Sequence, residues 1–145
     1  RLSELRQQKR YSAVYTLAGE ALKQLSERMT PAQGADLTEV WQVALIRQRE
    51  TDHQRVAELC RQLTAADGAA REGAMTGLRS MGARAVLPLL RHLREAVEAE
   101  PPDPAAERAI LAALKELEPD LTGYDLAAPS EQRLKTIEQW TRSRP

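Results

Sequence analysis

The 145-residue chain carries 21 basic and 21 acidic side chains, for a formal net charge of zero, with 42% hydrophobic and 29% charged residues. A chain of that size and apolar content closes one core of ordinary domain dimensions, and its charge balance excludes both a disordered polyelectrolyte and a wholesale binder of polyanions. No apolar run approaches the roughly 20 residues that span a bilayer, so no membrane insertion is expected.

The vocabulary is helical. There is no Phe, Gly and Pro number seven and eight, and β-branched residues are sparse beside Ala, Leu, Glu, Arg and Gln. The single cysteine, Cys60, forms no internal disulfide and leaves the compartment, cytoplasmic or exported, open. Arg1 opens the chain without a leader, which reads as a processed product or as a piece excised from a larger protein, its C-terminal part.

In chain order, Tyr11, Val14, Tyr15, Ala18, Leu22 and Leu25 form the first apolar stripe, opposite Lys23, Glu27 and Arg28. Thr30-Pro31-Ala32-Gln33-Gly34 is read as the break that ends this helix near Met29. Asp36 with Glu39 then caps a second helix carrying Leu37, Val40, Trp41, Ala44 and Leu45. Thr51-Asp52 is a further cap candidate before Val56, Leu59, Cys60 and Leu63, so residues 37 to 65 read as either two helices or one bent helix. A turn at residues 65–68 leads to a helix over 69 to 81, an αL stop at Gly82 and a helix from about Ala83 to Val97. Three prolines break the chain at residues 100–104. Ala106, Ile110, Leu114 and Leu117 mark the next helix, residues 121–129 a loop, and Ser130 caps a last helix with Leu134, Ile137 and Trp140.

Sliding the chain by about 36 positions lays Ala69, Ala70, Ala74, Leu78 and Met81 over Ala105, Ala106, Ile110, Leu114 and Leu117. A period of that size belongs to a two-helix repeat, which hides its apolar stripe only by stacking on neighbours.

Residues 59–63, Ala70-Arg71-Glu72-Gly73-Ala74, Leu78-Arg79 and the run from Gly82 to Leu90 with Pro88 inside it resemble a bacterial HEAT-like repeat, and the likeness extends over about residues 53 to 143. Arg71 matches the family's intra-repeat Arg and Pro88 its helix-opening Pro. Physically, Arg71 near a helix start is badly placed for the macrodipole and is expected to reach Asp67 or a carbonyl of the turn. The segment from Asp120 to Asp125, with residues 129–131 and 137–140, resembles the closing segment of such proteins, which would put Pro145 near a natural C-terminus. The resemblance implies an all-α superhelix of HEAT-like repeats. About seven helices are expected in one domain over residues 1–145: an N-terminal helical hairpin over 1–50, one repeat over 53–99 and a second helix pair over 103–143.

Catalytic constellations are missing from the sequence. His53 and His92 lie on different helices without Cys, Asp or Glu at ligand spacing, whereas a structural metal site needs about four ligands. Cys60 continues an apolar stripe as a small filler. The pairs Glu98 with Glu100 and Glu116 with Glu118 stand on polar faces rather than in a pocket that drives their pKa values apart. No phosphate loop, nucleophile elbow or zinc-protease helix is present. No enzyme activity, cofactor or metal is therefore expected.

Charge is segregated. Residues 1 to 94 hold 15 basic and 10 acidic side chains, and residues 95 to 145 hold 6 and 11. Arg79, Arg84, Arg91 and Arg94 concentrate around one helix pair and form the candidate partner-binding strip, facing a protein or the chain's own acidic C-terminal third. Few stacking aromatics and no wide basic field speak against nucleic acid. Tyr124, in a loop, and Trp140, near the last helix end, complete the candidate partner residues, with the structural alternatives that Tyr124 folds its loop back over the helix pair and Trp140 covers the terminal repeat. The expected function is a non-catalytic protein-interaction or scaffolding module. The alternatives are a self-associating module of a larger assembly and a HEAT-like nucleic-acid binder. A catalytic HEAT-like protein such as a DNA glycosylase or a chromophore lyase would need an acidic group in a basic, aromatic groove, and the sequence shows none.

Overall fold

The computed structural model describes residues 13, 16–20, 22–24 and 30–144, and the chain divides into two compact units, residues 1–52 and 53–145. Among the described residues there are five α-helices with defined bounds, one 3-10 turn and no strand. They are α1 (Pro31–Leu63), α2 (Gly68–Met81), the 3-10 turn Gly82–Ala85, α3 (Val86–Glu98), α4 (Pro104–Leu117) and α5 (Ser130–Arg142). Residues 16–20 and 22–24 are also helical. Of the first predicted stripe, Tyr11, Val14, Tyr15 and Leu25 lie outside the described residues, as do Glu27, Arg28 and Met29.

The count of seven gives way to five with defined bounds because residues 37 to 65 do not divide and the first predicted helix is described only at residues 13, 16–20 and 22–24. Helix α1 is 33 residues long, and no Gly or Pro interrupts it after Gly34. Its start lies at the segment expected to be a break. The Thr30 amide donates to Gln33 Oε1 at 3.0 Å and the Gln33 amide to Thr30 Oγ1 at 3.3 Å, a reciprocal capping box with Pro31 at the first helical position, where its missing N–H costs nothing. Thr51 and Asp52 are mid-helix, and Asp52 accepts from Gln48 Nε2 one turn earlier at 2.8 Å. In the first unit the buried side of α1 runs through Ala44, Gln48 and Asp52, while Val40, Val43 and Ile46 are exposed. Trp41 lies over Gly19, where an added Cβ would stand 3.1 Å from the indole Nε1.

The second unit holds one continuous core, from Val56, Leu59 and Leu63 of α1 through Ala74 and Leu78 of α2 to the inner faces of α3, α4 and α5. Helix α3 is its centre. It buries Val86, Leu89, Leu90, Leu93, Ala96 and Val97 and packs on both α4 and α5.

Local chemistry explains the joints. Asp67 caps α2 by accepting from the Ala69 amide at 3.0 Å. Arg71 does not reach that carboxylate; it is exposed, and only its amide bonds to the Asp67 carbonyl. At Gly82 the chain stops as expected but in a different conformation. Its φ is +57° and its ψ −134°, away from αL, because the backbone turns directly into the 3-10 segment; a side chain would be strained at that φ. Pro88, third in α3, falls where helix amides lack partners anyway. Asp103 caps α4 through the Ala106 amide at 3.0 Å, with Pro104 opening the helix. Ser130 is not a cap; it is the first residue of α5, whose turn is closed by the Pro129 carbonyl accepting from Gln132 and Arg133.

Two helices correspond closely at the offset of 36. Both α2 and α4 have 14 residues and an Asp cap, both bury the matched pairs Ala74 with Ile110 and Leu78 with Leu114, and both half-bury Ala70 with Ala106 and Met81 with Leu117. Helices α3 and α5 have 13 residues each, and buried Leu93 and Ala96 of α3 correspond to buried Ile137 and Trp140 of α5.

Helices α1 and α2 touch at a glycine. A Cβ on Gly77 would lie 2.9 Å from Leu59 Cδ2, and Leu59, fully buried, has little room to yield. Gly77→Ala is expected to cost about 1–3 kcal/mol by overpacking, and to cost little in a Leu59→Ala background, where the space already exists. Urea denaturation of the two single variants and the double variant reads this directly; equal costs in both backgrounds would refute the contact.

Candidate functional site

The four arginines of the predicted strip are exposed. Arg79 Nε donates to Glu116 Oε1 at 2.5 Å and its Nη1 to Glu72 at 3.1 Å, bonds that hold the guanidinium still more firmly protonated. Arg91 pairs with Glu95 at 3.3 Å and Arg94 with Glu98 at 2.9 Å, each one turn along α3. Arg84 lies in the 3-10 turn. Arg79, Arg91 and Arg94 thus each stand beside carboxylates, and exposed pairs of this kind are worth only about 0–1 kcal/mol each.

Tyr124 and Trp140 are engaged inside the second unit. Glu107, 3% exposed, accepts from the Tyr124 hydroxyl at 2.5 Å and from Arg133 Nη1 at 2.5 Å. Burial, and then the Glu107 carboxylate, push the Tyr124 phenol up from its ordinary value, so it stays a neutral donor. Its ring meets that of Trp140 with centroids 5.6 Å apart, and Trp140 Nε1 donates to the Thr122 carbonyl at 3.2 Å. Together these bonds pin the loop of residues 118–129 onto α4 and α5. Trp140, 7% exposed, offers a partner little surface. Of the predicted carboxylate pairs, Glu98 and Glu116 are exposed and matched to Arg94 and Arg79, while Glu118 is half-buried and pairs with Arg144 at 3.0 Å.

Sequence spacing left the histidines as two isolated side chains, and the fold stacks them. The rings of His53 on α1 and His92 on α3 lie with centroids 4.7 Å apart and planes 3° from parallel. Glu95, one turn after His92, contacts its Nδ1 at 2.9 Å, while Nε2 is buried without a partner. Burial lowers the His53 pKa below 6.5, aided by Arg91 and His92 and opposed by Glu95. No signal in the sequence pairs these residues; only the packing of α1 on α3 does.

Beside the stack lies an open groove of about 390 Å³. Ala57, Cys60, Arg61 and Thr64 of α1, His92 and Ala96 of α3, and Asp103 and Ala106 at the start of α4 contribute to its walls. Its width comes from alanines, where larger side chains would close it. The Cys60 thiol is pushed up to about 12 by burial and then by Glu95, the opposite of what a nucleophile requires. Among the described residues no three His, Cys, Asp or Glu are grouped to hold a metal ion, and no helix is long and apolar enough to cross a membrane.

Compared with known proteins, the chain matches no family model, no curated protein and no solved structure.

Removing one partner from a buried ion pair strands the other. Glu107→Ala is expected to destabilise the second unit by about 3–5 kcal/mol, and Tyr124→Phe, which leaves the Arg133 bond intact, by about 1–2 kcal/mol. Chemical denaturation followed by tryptophan fluorescence, with Trp140 against the loop as reporter, measures both. A Glu107→Ala loss no larger than that of Tyr124→Phe would show that the charge pair contributes nothing beyond the hydroxyl bond.

Proposed function

We propose that the chain is a non-catalytic, HEAT-like helical-repeat module that serves protein–protein interaction. The observation that carries this reading is the correspondence of α2 with α4 in length, Asp capping and buried positions, and of α3 with α5 in length, combined with a single core running through both pairs. Each pair has an apolar stripe too wide to be hidden within the pair, so successive pairs stack, and stacked pairs present side chains at regular intervals on a rigid frame. Scaffolding follows from that architecture by analogy of fold. The bacterial HEAT-like motifs at residues 59–90 support it from the sequence side.

The proposed contact surface is the row Arg79, Arg84, Arg91 and Arg94 with its interleaved Glu72, Glu95 and Glu98. A partner reading alternating charge gains orientation and on-rate more than raw affinity. Arg84→Glu with Arg91→Glu is expected to abolish partner capture from lysate while shifting stability by no more than about 1 kcal/mol, the range of exposed pairs. Capture retained by this variant at unchanged thermal stability would remove the surface.

One observation favours a second reading, self-association through the first unit: Val40, Val43 and Ile46 recur on one side of α1 and are exposed. Size exclusion with light scattering across a concentration series separates the two. A monomer at all concentrations is expected of the adaptor, and a dimer converted to monomer by Val43→Glu with Ile46→Glu would favour self-association.

A further inference from the structure

The chain's two histidines meet face to face between α1 and α3, and the groups around them leave little room for charge. With Nδ1 of His92 donating to Glu95, the assignment that contact implies, Nε2 is a buried lone pair without a partner. An unpaired acceptor is tolerated there, whereas a proton on Nε2 would become a buried donor with nothing to receive it. His53 faces His92, Arg91 and Glu95. The one carboxylate among these is already shared, since Arg91 Nε reaches the same Glu95 at 3.3 Å. On the groove side of His92 stand Cys60 and Arg61 of α1 and Asp103 ahead of α4. A cation on His53 therefore meets a second ring and the Arg91 guanidinium, against one carboxylate in use.

We propose that the His53–His92 stack is a proton-operated latch: neutral rings hold the stretch of α1 from His53 to Leu63 against α3, and imidazolium formation releases it and opens the adjoining groove. The sign follows from linkage. The folded pKa of His53 lies below 6.5, so the open form binds more protons between those two values. The latch is fully stable above about pH 6.5 and weakens as pH falls from there through the folded value, by up to about tenfold in closed-to-open ratio per pH unit for one proton. This inference rests on packing within the second unit and stands whether or not the arginine row binds a partner.

Cys60 is the chain's only thiol and lines the groove, so its labelling rate with 4,4′-dithiodipyridine reports opening in the intact chain. His53→Phe keeps a stacking ring that cannot charge, and His53→Lys carries a permanent charge. Between about pH 7.5 and about pH 5.5, the ratio of wild-type to His53→Phe labelling rates is expected to rise, by at most about tenfold for one proton; taking the ratio cancels the thiol's own pH dependence. At about pH 7.5, His53→Lys should label faster than wild type, by a similar factor. A ratio that stays constant across the range overturns the latch. Should either variant fail to fold by circular dichroism, hydrogen exchange of the wild-type chain decides. Protection over residues 53–64 that falls on acidification, after correction for intrinsic rates, upholds the proposal, and unchanged protection refutes it.

Discussion

Six of the thirteen residues of α3 are closed to water, so this helix can exist only inside an enclosure of other helices. Full burial of a Leu or Val is worth about 1.5–3 kcal/mol, which makes Leu89, Leu90 and Leu93 the largest local reason for α4 and α5 to lie where they do. The same requirement sets the joints. Gly82 and the 3-10 turn redirect the chain from α2 into α3, and the three prolines with Asp103 end one helix and start the next within a few residues. The groove is a by-product of where this enclosure uses alanine, at positions 57, 96 and 106, in place of larger side chains.

Electrostatics here is a matter of arrangement more than of amount. The basic surplus of the first two-thirds and the acidic surplus of the remainder meet at Arg79 and Glu116. Elsewhere they resolve locally, along α3 and α5. Most of these pairs are exposed and contribute little to stability; what they set is the pattern a neighbouring molecule encounters. The exception is Glu107 with Arg133, where desolvation raises the stakes and the bonds decide whether the loop stays down.

Much of this architecture was legible in the residues. The apolar spacing, the proline linker, the turn at residues 65–68 and the stop at Gly82 all marked helices that exist, and the correspondence at 36 positions matched α2 to α4. The first capping signal was misread because Pro31 and Gly34 were weighed as breakers, although proline in an opening turn removes only an amide that has no partner, and Thr30 with Gln33 was the stronger box. Asp52 failed as a cap because its carboxylate found Gln48 within the helix. Of the candidate site, the exposed arginines were readable from their polar faces. A structural role for Tyr124 and Trp140 was readable as one alternative; the Glu107 and Thr122 partners they find, and the meeting of His53 with His92, were not. Those contacts join side chains far apart in sequence, and only the way helices lie on one another brings them together.

The equivalence of α2 and α4 has one exception with a consequence for assembly. Where α2 carries Arg71, exposed, α4 carries Glu107, enclosed by Tyr124 and Arg133. Were the two modules exchanged, a guanidinium would be driven against the guanidinium of Arg133 in a place that water does not reach. Greasy surfaces alone would accept either helix at that position; opposite signs at one structural address tell the two helices apart.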